Sequence, residues 1–245
     1  MPKPVALEVA FLPGEVAALE GRVAVVLDVL RATSSIVTLL DRGAASIGLA
    51  ASVADARAKA RERPGTLLCG EEGGLPPFGF DYGNSPTEFA SLDLTGKHFV
   101  MATTNGTNAV RACAAASVVL IGAVLNANAL VREILELLRE LSAVVLVCAG
   151  RQGQFVLDDA AVAGYLCHIL LNEAKLRDLP VTTNNAAVAA YRLYHSYGNL
   201  LSALNDSASG QALYPLRLGA DVQYCAQQSI SKRVPRLDGQ QLYLL

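Results

Sequence analysis

Four short polar clusters carry most of the side chains in this chain that could do chemistry. In the first, "DVLRATSS" (28–35), an apolar run ends at Asp28, Arg31 follows, and Thr33, Ser34 and Ser35 fall at the expected start of a helix. Helix-start amides, hydroxyls and a guanidinium suit an anion, phosphate above all. A carboxylate beside them would repel that anion unless it held a cation or attacked it. The local alternative is that Ser34 caps the helix and Asp28 pairs with Arg31; the residues alone do not choose. The second cluster, "MATTNGTNAV" (101–110), sets Thr103, Thr104, Asn105, Gly106 and Thr107 ahead of another helix. Gly106 permits close backbone approach and the hydroxyls can donate to oxyanions, although a turn and a cap would use the same residues.

The third cluster, "VCAGRQGQFVLDDAAVAGYL" (147–166), brackets Arg151 with Gly150 and Gly153 and opens a helix with Asp158 and Asp159. The helix dipole accounts for one of these acids, leaving the second for solvent or a cleft. The fourth, "GEEGGLPPFGFDYGNSPTEF" (70–89), holds Glu71, Glu72, Asp81 and Glu88 among glycines. Oxygen ligands on such a loop suit Mg²⁺, which takes one or two carboxylates and keeps waters or substrate phosphate. Equally, it reads as an exposed acidic loop capped by Asn84 or Ser85, with Pro86 in the first helical turn. The chain has no GxxxxGK[ST], GxSxG or HExxH motif. His98, His168 and His195 sit in strand-like or helical contexts and read as structural rather than as zinc ligands.

Such clusters need strands to deliver them. Wholly apolar runs recur at 23–29, 66–70, 98–103, 117–122 and 143–150. Strands apolar at every position are buried on both faces, as in parallel sheets. Between them, "SVADARAKARER" (52–63) opens with a Ser-x-x-Asp capping signal, and "NALVREILELLREL" (128–141) carries a core-facing helical stripe. The expected class is α/β, with largely parallel buried sheets flanked by helices. A polar stretch at 91–97 suggests two α/β lobes, 1–97 and 98–245, acting as one catalytic unit. No fixed-period repeat is visible.

Composition narrows the partners. Of 245 residues, 52% are hydrophobic and 17% charged, so the chain has ample material for a core and is compatible with a homodimer. A net charge of −2 without a basic tract argues against nucleic acid. The uncharged stretch from Ala112 to Val131 is interrupted by Ser117, Gly122, Asn126 and Asn128, and reads as helix end, strand and turn rather than a membrane span. Five cysteines without a CxxC or Cys/His cluster suit a reducing cytoplasm.

Taken in order, "DVLRATSS", "GEEGG" with "GFDYGNSP", "TTNGT" and "GRQGQFVLDDAAVAG", with the later "DVQYCAQQSISKRVP", resemble the 2-phosphosulfolactate phosphatase family over nearly the whole chain. The resemblance implies a two-lobed α/β fold with its site between the lobes. It implies Mg²⁺-dependent hydrolysis of 2-phospho-3-sulfolactate to 3-sulfolactate and phosphate, a step of coenzyme M biosynthesis in methane-producing archaea. On this chain the expected metal residues are Asp28, Glu71 and Asp81. Arg31, Thr33, Ser34, Asn84, Ser85, Thr104, Asn105, Gly106 and Thr107 would bind the small anionic phosphoester, Arg151 would orient its sulfonate or carboxylate end, and Asp159 would be a base or stand behind the metal. One departure matters: the family pattern places arginine where this chain has Glu72. Two other readings are a phosphometabolite-binding protein that kept the pocket and lost turnover, and a haloacid-dehalogenase-type phosphatase. The latter wants Asp-x-Asp, and Leu30 stands at its third position.

Overall fold

A computed structural model of the chain describes residues 4–238 and 241–244. The apolar runs become strands of one ten-stranded sheet. In chain order, β1 (Val5–Ala10) is followed by β2 (Arg22–Leu27), α1 (Ala32–Asp41), β3 (Ser46–Ala50), α2 (Val53–Glu62), β4 (Leu67–Gly70) and α3 (Pro86–Ala90). Next come β5 (His98–Ala102), α4 (Thr104–Ala112), β6 (Val118–Gly122), α5 (Ala127–Leu137), β7 (Ala143–Cys148) and α6 (Leu157–Leu176). The remainder is β8 (Val181–Thr183), α7 (Asn185–Ser196), α8 (Leu200–Asp206), α9 (Ala208–Leu213), α10 (Gly219–Cys225), β9 (Pro235–Asp238) and β10 (Gln241–Leu244).

The sheet order is β4-β5-β3-β10-β9-β6-β2-β7-β1-β8. Eight strands form two parallel blocks, and the β9–β10 hairpin joins them by antiparallel pairing to β6 and β3. Period-two alternation sends β2 side chains into two cores: Val23, Val25 and Leu27 pack with α5 and α6, Ala24 and Val26 with α1 and α4. Burial on both faces is why these strands read as continuous apolar runs. Helix starts follow local chemistry. Ser52 Oγ accepts the Asp55 N–H at 3.1 Å while Asp55 returns a bond to the Ala51 N–H, so the capping signal works reciprocally. All five cysteines are buried and unpaired. No helix among the described residues is long and apolar enough to cross a membrane.

A repeat invisible in the sequence appears in the topology. The run β2–α1–β3–α2–β4, a tight turn and α3 is echoed by β5–α4–β6–α5–β7, a tight turn and α6. The first strand of each run is inserted between the second and third strands of the other: β5 lies between β4 and β3, β2 between β6 and β7. The stretch 91–97 falls between the two runs, but strands from either side of it interleave.

Candidate active site

The carboxyl ends of β2, β4, β5 and β7 open onto one cavity of about 510 Å³, the usual ligand position in open α/β sheets. Each run supplies a strand–helix junction and a tight turn. The first gives Asp28 and Arg31, then Glu71 to Gly74; the second gives Asn105 and Asn108, then Gly150 to Gly153. The first turn of α6 adds Asp158 and Asp159.

The Asp28 carboxylate lies beside the backbone N–H groups of Ala32 and Gly106, which favour its charged form. The second of these explains the glycine: a Cβ at position 106 would sit 3.0 Å from Asp28 Oδ2. Burial, then the neighbouring charges of Asp158 and Glu71, push the Asp28 carboxyl up to about 7. Burial also raises Asp158, to about 6, partly offset by its own amide, the Ser209 and Ser207 hydroxyls and Arg151. Its Oδ1 is buried without a hydrogen-bond partner. Asp159 is more deeply committed. Its Oδ1 accepts the Val29 N–H at 2.9 Å and its Oδ2 the Gly150 N–H at 3.1 Å, clipping the end of β2 to the end of β7. Burial and the Asp158 and Asp28 charges hold it well above the usual carboxylate range.

Arg31 is buried, and its guanidinium is largely engaged: one nitrogen donates to Asp221 at 2.8 Å and another to the Gly74 carbonyl at 2.7 Å. Arg151 is exposed at the cavity on a turn whose Gln152 and Gly153 take positive φ. Asn105 Oδ1 accepts the Gln152 N–H at 3.2 Å and ties that turn to α4. Glu72 is exposed and lines the cavity.

Of the residues expected at the ligand, the fold brings together Asp28, Arg31, Glu71, Asn84, Asn105, Arg151 and Asp159 in the cavity lining, with Gly106 at Asp28. Several others are used elsewhere. Thr33 Oγ1 accepts the Asp28 N–H, Ser34 Oγ donates to the Val29 carbonyl, and Thr107 Oγ1 donates to the Ala50 carbonyl. Ser85 caps α3 and donates to Asp221. Asp81 does not reach the cavity, because its carboxylate accepts the Leu68 N–H at 2.7 Å behind the loop. The Thr104 side chain lies outside the described residues. Sequence reasoning set Asp158 aside in favour of Asp159 and did not single out Asp221. The first had a signal in the paired acids of the helix start; the second had only its place in a family-like segment.

Five carboxylates (Asp28, Glu71, Glu72, Asp158, Asp159) thus face two guanidiniums, and the charge of one is already matched by buried Asp221. Among the described residues no three acidic, histidine or cysteine side chains form a ready-made metal cage. The donor set still fits a hard cation of the Mg²⁺ kind: several carboxyl groups share the cavity, and the Oδ1 atoms of Asp158 and Asn84 are buried without partners.

Parallel strands that deliver carboxylates, amides and the Arg151 guanidinium to one polar cavity define an α/β protein with a ligand site at its strand ends. A sequence profile described as 2-phosphosulpholactate phosphatase matches residues 11–240. A protein of Deinococcus radiodurans named probable 2-phosphosulfolactate phosphatase is 41% identical over 88% of this chain and 87% of its own length. One of the same name from Thermus thermophilus is 39% identical over 95% and 94%. The chain belongs to the 2-phosphosulfolactate phosphatase family, a family of phosphoric monoester hydrolases.

Proposed function

We propose that this protein hydrolyses the phosphate ester of 2-phospho-3-sulfolactate, or of a closely related phosphorylated hydroxy acid, and that it does so with Mg²⁺ in the acidic cavity. The observation that carries the reading is the charge imbalance. A phosphate monoester alone carries about −1.5 to −2 charge, and the sulfonate and carboxylate add to it. Five carboxyl groups and one guanidinium without a carboxylate partner line the cavity, so a cation entering with such a ligand would offset both the ligand's charge and that of the carboxyls that stay ionised.

Asp28 and Glu71 are the side chains that would hold the ion, with the unpartnered Asp158 Oδ1 beside them. When bound, Mg²⁺ supplies charge neutralisation for the phosphoryl oxygens. The chain does the rest. The Ala32 and Gly106 amides favour the charged Asp28 carboxylate at the strand end, and Arg151 would offer a guanidinium to the far anionic end of the substrate. Asp159 keeps β2 and β7 in register under the site rather than acting as a base, since both its oxygens are bonded to backbone. Trapping a phosphoaspartate on Asp28 distinguishes attack by its carboxylate from attack by water.

The test is phosphate release from a panel of phosphorylated hydroxy acids, with Mg²⁺ and after chelation. Release from 2-phospho-3-sulfolactate that depends on Mg²⁺ is expected. Binding without release from any member would overturn the reading in favour of a phosphometabolite-binding protein.

A further inference from the structure

We infer that Asp221 is a positioning residue for the cation-holding carboxylate Glu71, acting through Arg31 and the Gly74 backbone. The inference rests on the phosphatase reading to the extent that Glu71 holds a divalent ion.

Asp221 sits in α10, far in sequence from the strand ends, and is wholly buried. It does not line the cavity, and both its oxygens are supplied. Oδ2 accepts from Arg31 at 2.8 Å. Oδ1 accepts from Ser85 Oγ at 2.7 Å, from the Thr87 N–H at 3.3 Å and from Thr87 Oγ1. An acid so used is not a substrate ligand; its effect on the site passes through the groups it holds.

The principal one is Arg31. With one nitrogen on Asp221, its guanidinium donates with the other to the Gly74 carbonyl at 2.7 Å. Gly74 in turn donates its own N–H to Glu71 Oε2 at 2.7 Å. The line therefore runs from Asp221 through Arg31 and Gly74 to Glu71. Gly74 holds φ near +87°, and the Gly73–Gly74 turn is closed by Glu72 and Leu75 backbone bonds of 2.9 and 3.3 Å. Two consecutive glycines leave such a turn conformationally loose. A buried guanidinium pinned by a buried carboxylate supplies the fixed point, and a planar fork reaches two acceptors at once where an ammonium presents a point charge. A small hard cation demands fixed ligand geometry, so groups that hold a ligating carboxylate govern affinity for the ion.

The experiment titrates Mn²⁺, a paramagnetic probe for the Mg²⁺ position, into the metal-free full-length protein and counts free ion by electron paramagnetic resonance. Wild type is expected to bind. Asp221→Asn and Arg31→Lys are each expected to weaken binding by about ten- to a hundredfold, with circular dichroism and gel filtration unchanged. Arg31→Lys keeps the charge pair and loses the fork, so it carries the test if Asp221→Asn fails to fold. Wild-type affinity in either folded variant overturns the positioning role alone. Failure of wild type to bind Mn²⁺ overturns the cation reading, and this inference with it.

Discussion

At the residue scale the proposed cation would compete with protons for the carboxylates of the cavity. Asp28 rises to about 7 and Asp158 to about 6, in both cases first because burial disfavours the charge. A carboxyl whose value is raised on folding favours the folded state while protonated. Its contribution is complete below about 4, the unfolded value, and is lost as pH rises through the folded one. The metal-free protein should therefore lose stability from these groups between about pH 4 and 7, and Mg²⁺ should raise the melting temperature more at pH 8 than at pH 5. Thermal melts at both pH values, with Asp28→Asn as comparison, check this; an equal Mg²⁺ shift at both would contradict it. Glu72 gives a second test. Glu72→Arg places the arginine that the family resemblance leads one to expect at an exposed position facing the cavity. It should lower KM up to about fivefold, the effect of roughly 1 kcal/mol at an exposed pair, and the gain should fade as salt is added.

Which of these residues could be read in advance follows from the same chemistry. Asp28 and Arg151 were legible because each stands just past an apolar run. Thr33, Ser34 and Ser85 were misplaced because helix-start hydroxyls bond nearby backbone or caps as readily as they bond a ligand. Asp221 was not legible as Arg31's partner, since 190 positions separate them.

At the scale of elements, the apolar runs gave their strands to within a residue or two, but β1 and β3 escaped notice. In β1, Glu8 breaks the run because it faces Arg22 in a half-exposed pair at 2.9 Å; β3 is five residues with a glycine at its centre. The packing of α6 is the element on which the acids depend, since its first turn carries both Asp158 and Asp159. Gly164 lets α6 approach α7 so closely that a Cβ there would overlap the Ala190 carbonyl. Gly164→Ala should cost about 1–3 kcal/mol by overpacking, read as a lower urea midpoint. A midpoint equal to wild type would show that the two helices have room to part.

At the scale of the whole molecule, the interleaved repeat makes the cavity a joint product. Each run supplies one junction and one turn, and each run's first strand completes the other run's block. The sequence concealed this because a buried parallel strand asks only for apolar residues, and the two runs meet that demand with different ones. Fragments 1–97 and 98–245 should each be unfolded when expressed alone, since the first lacks β5 from between β4 and β3 and the second lacks β2 from between β6 and β7. Co-expressed, they should assemble and recover activity. A cooperative melt from either fragment alone would count against the interleaving.

On the proposed reading, Asp28 and a divalent cation together turn an acid-lined cavity into a phosphatase site. Phosphate release from 2-phospho-3-sulfolactate, measured side by side for wild type and Asp28→Asn with and without Mg²⁺, tests it most directly. Activity in wild type only with Mg²⁺, reduced on the order of a hundredfold or more in a folded Asp28→Asn, is the expected result. Full activity in Asp28→Asn, or wild-type turnover indifferent to chelation, would contradict it.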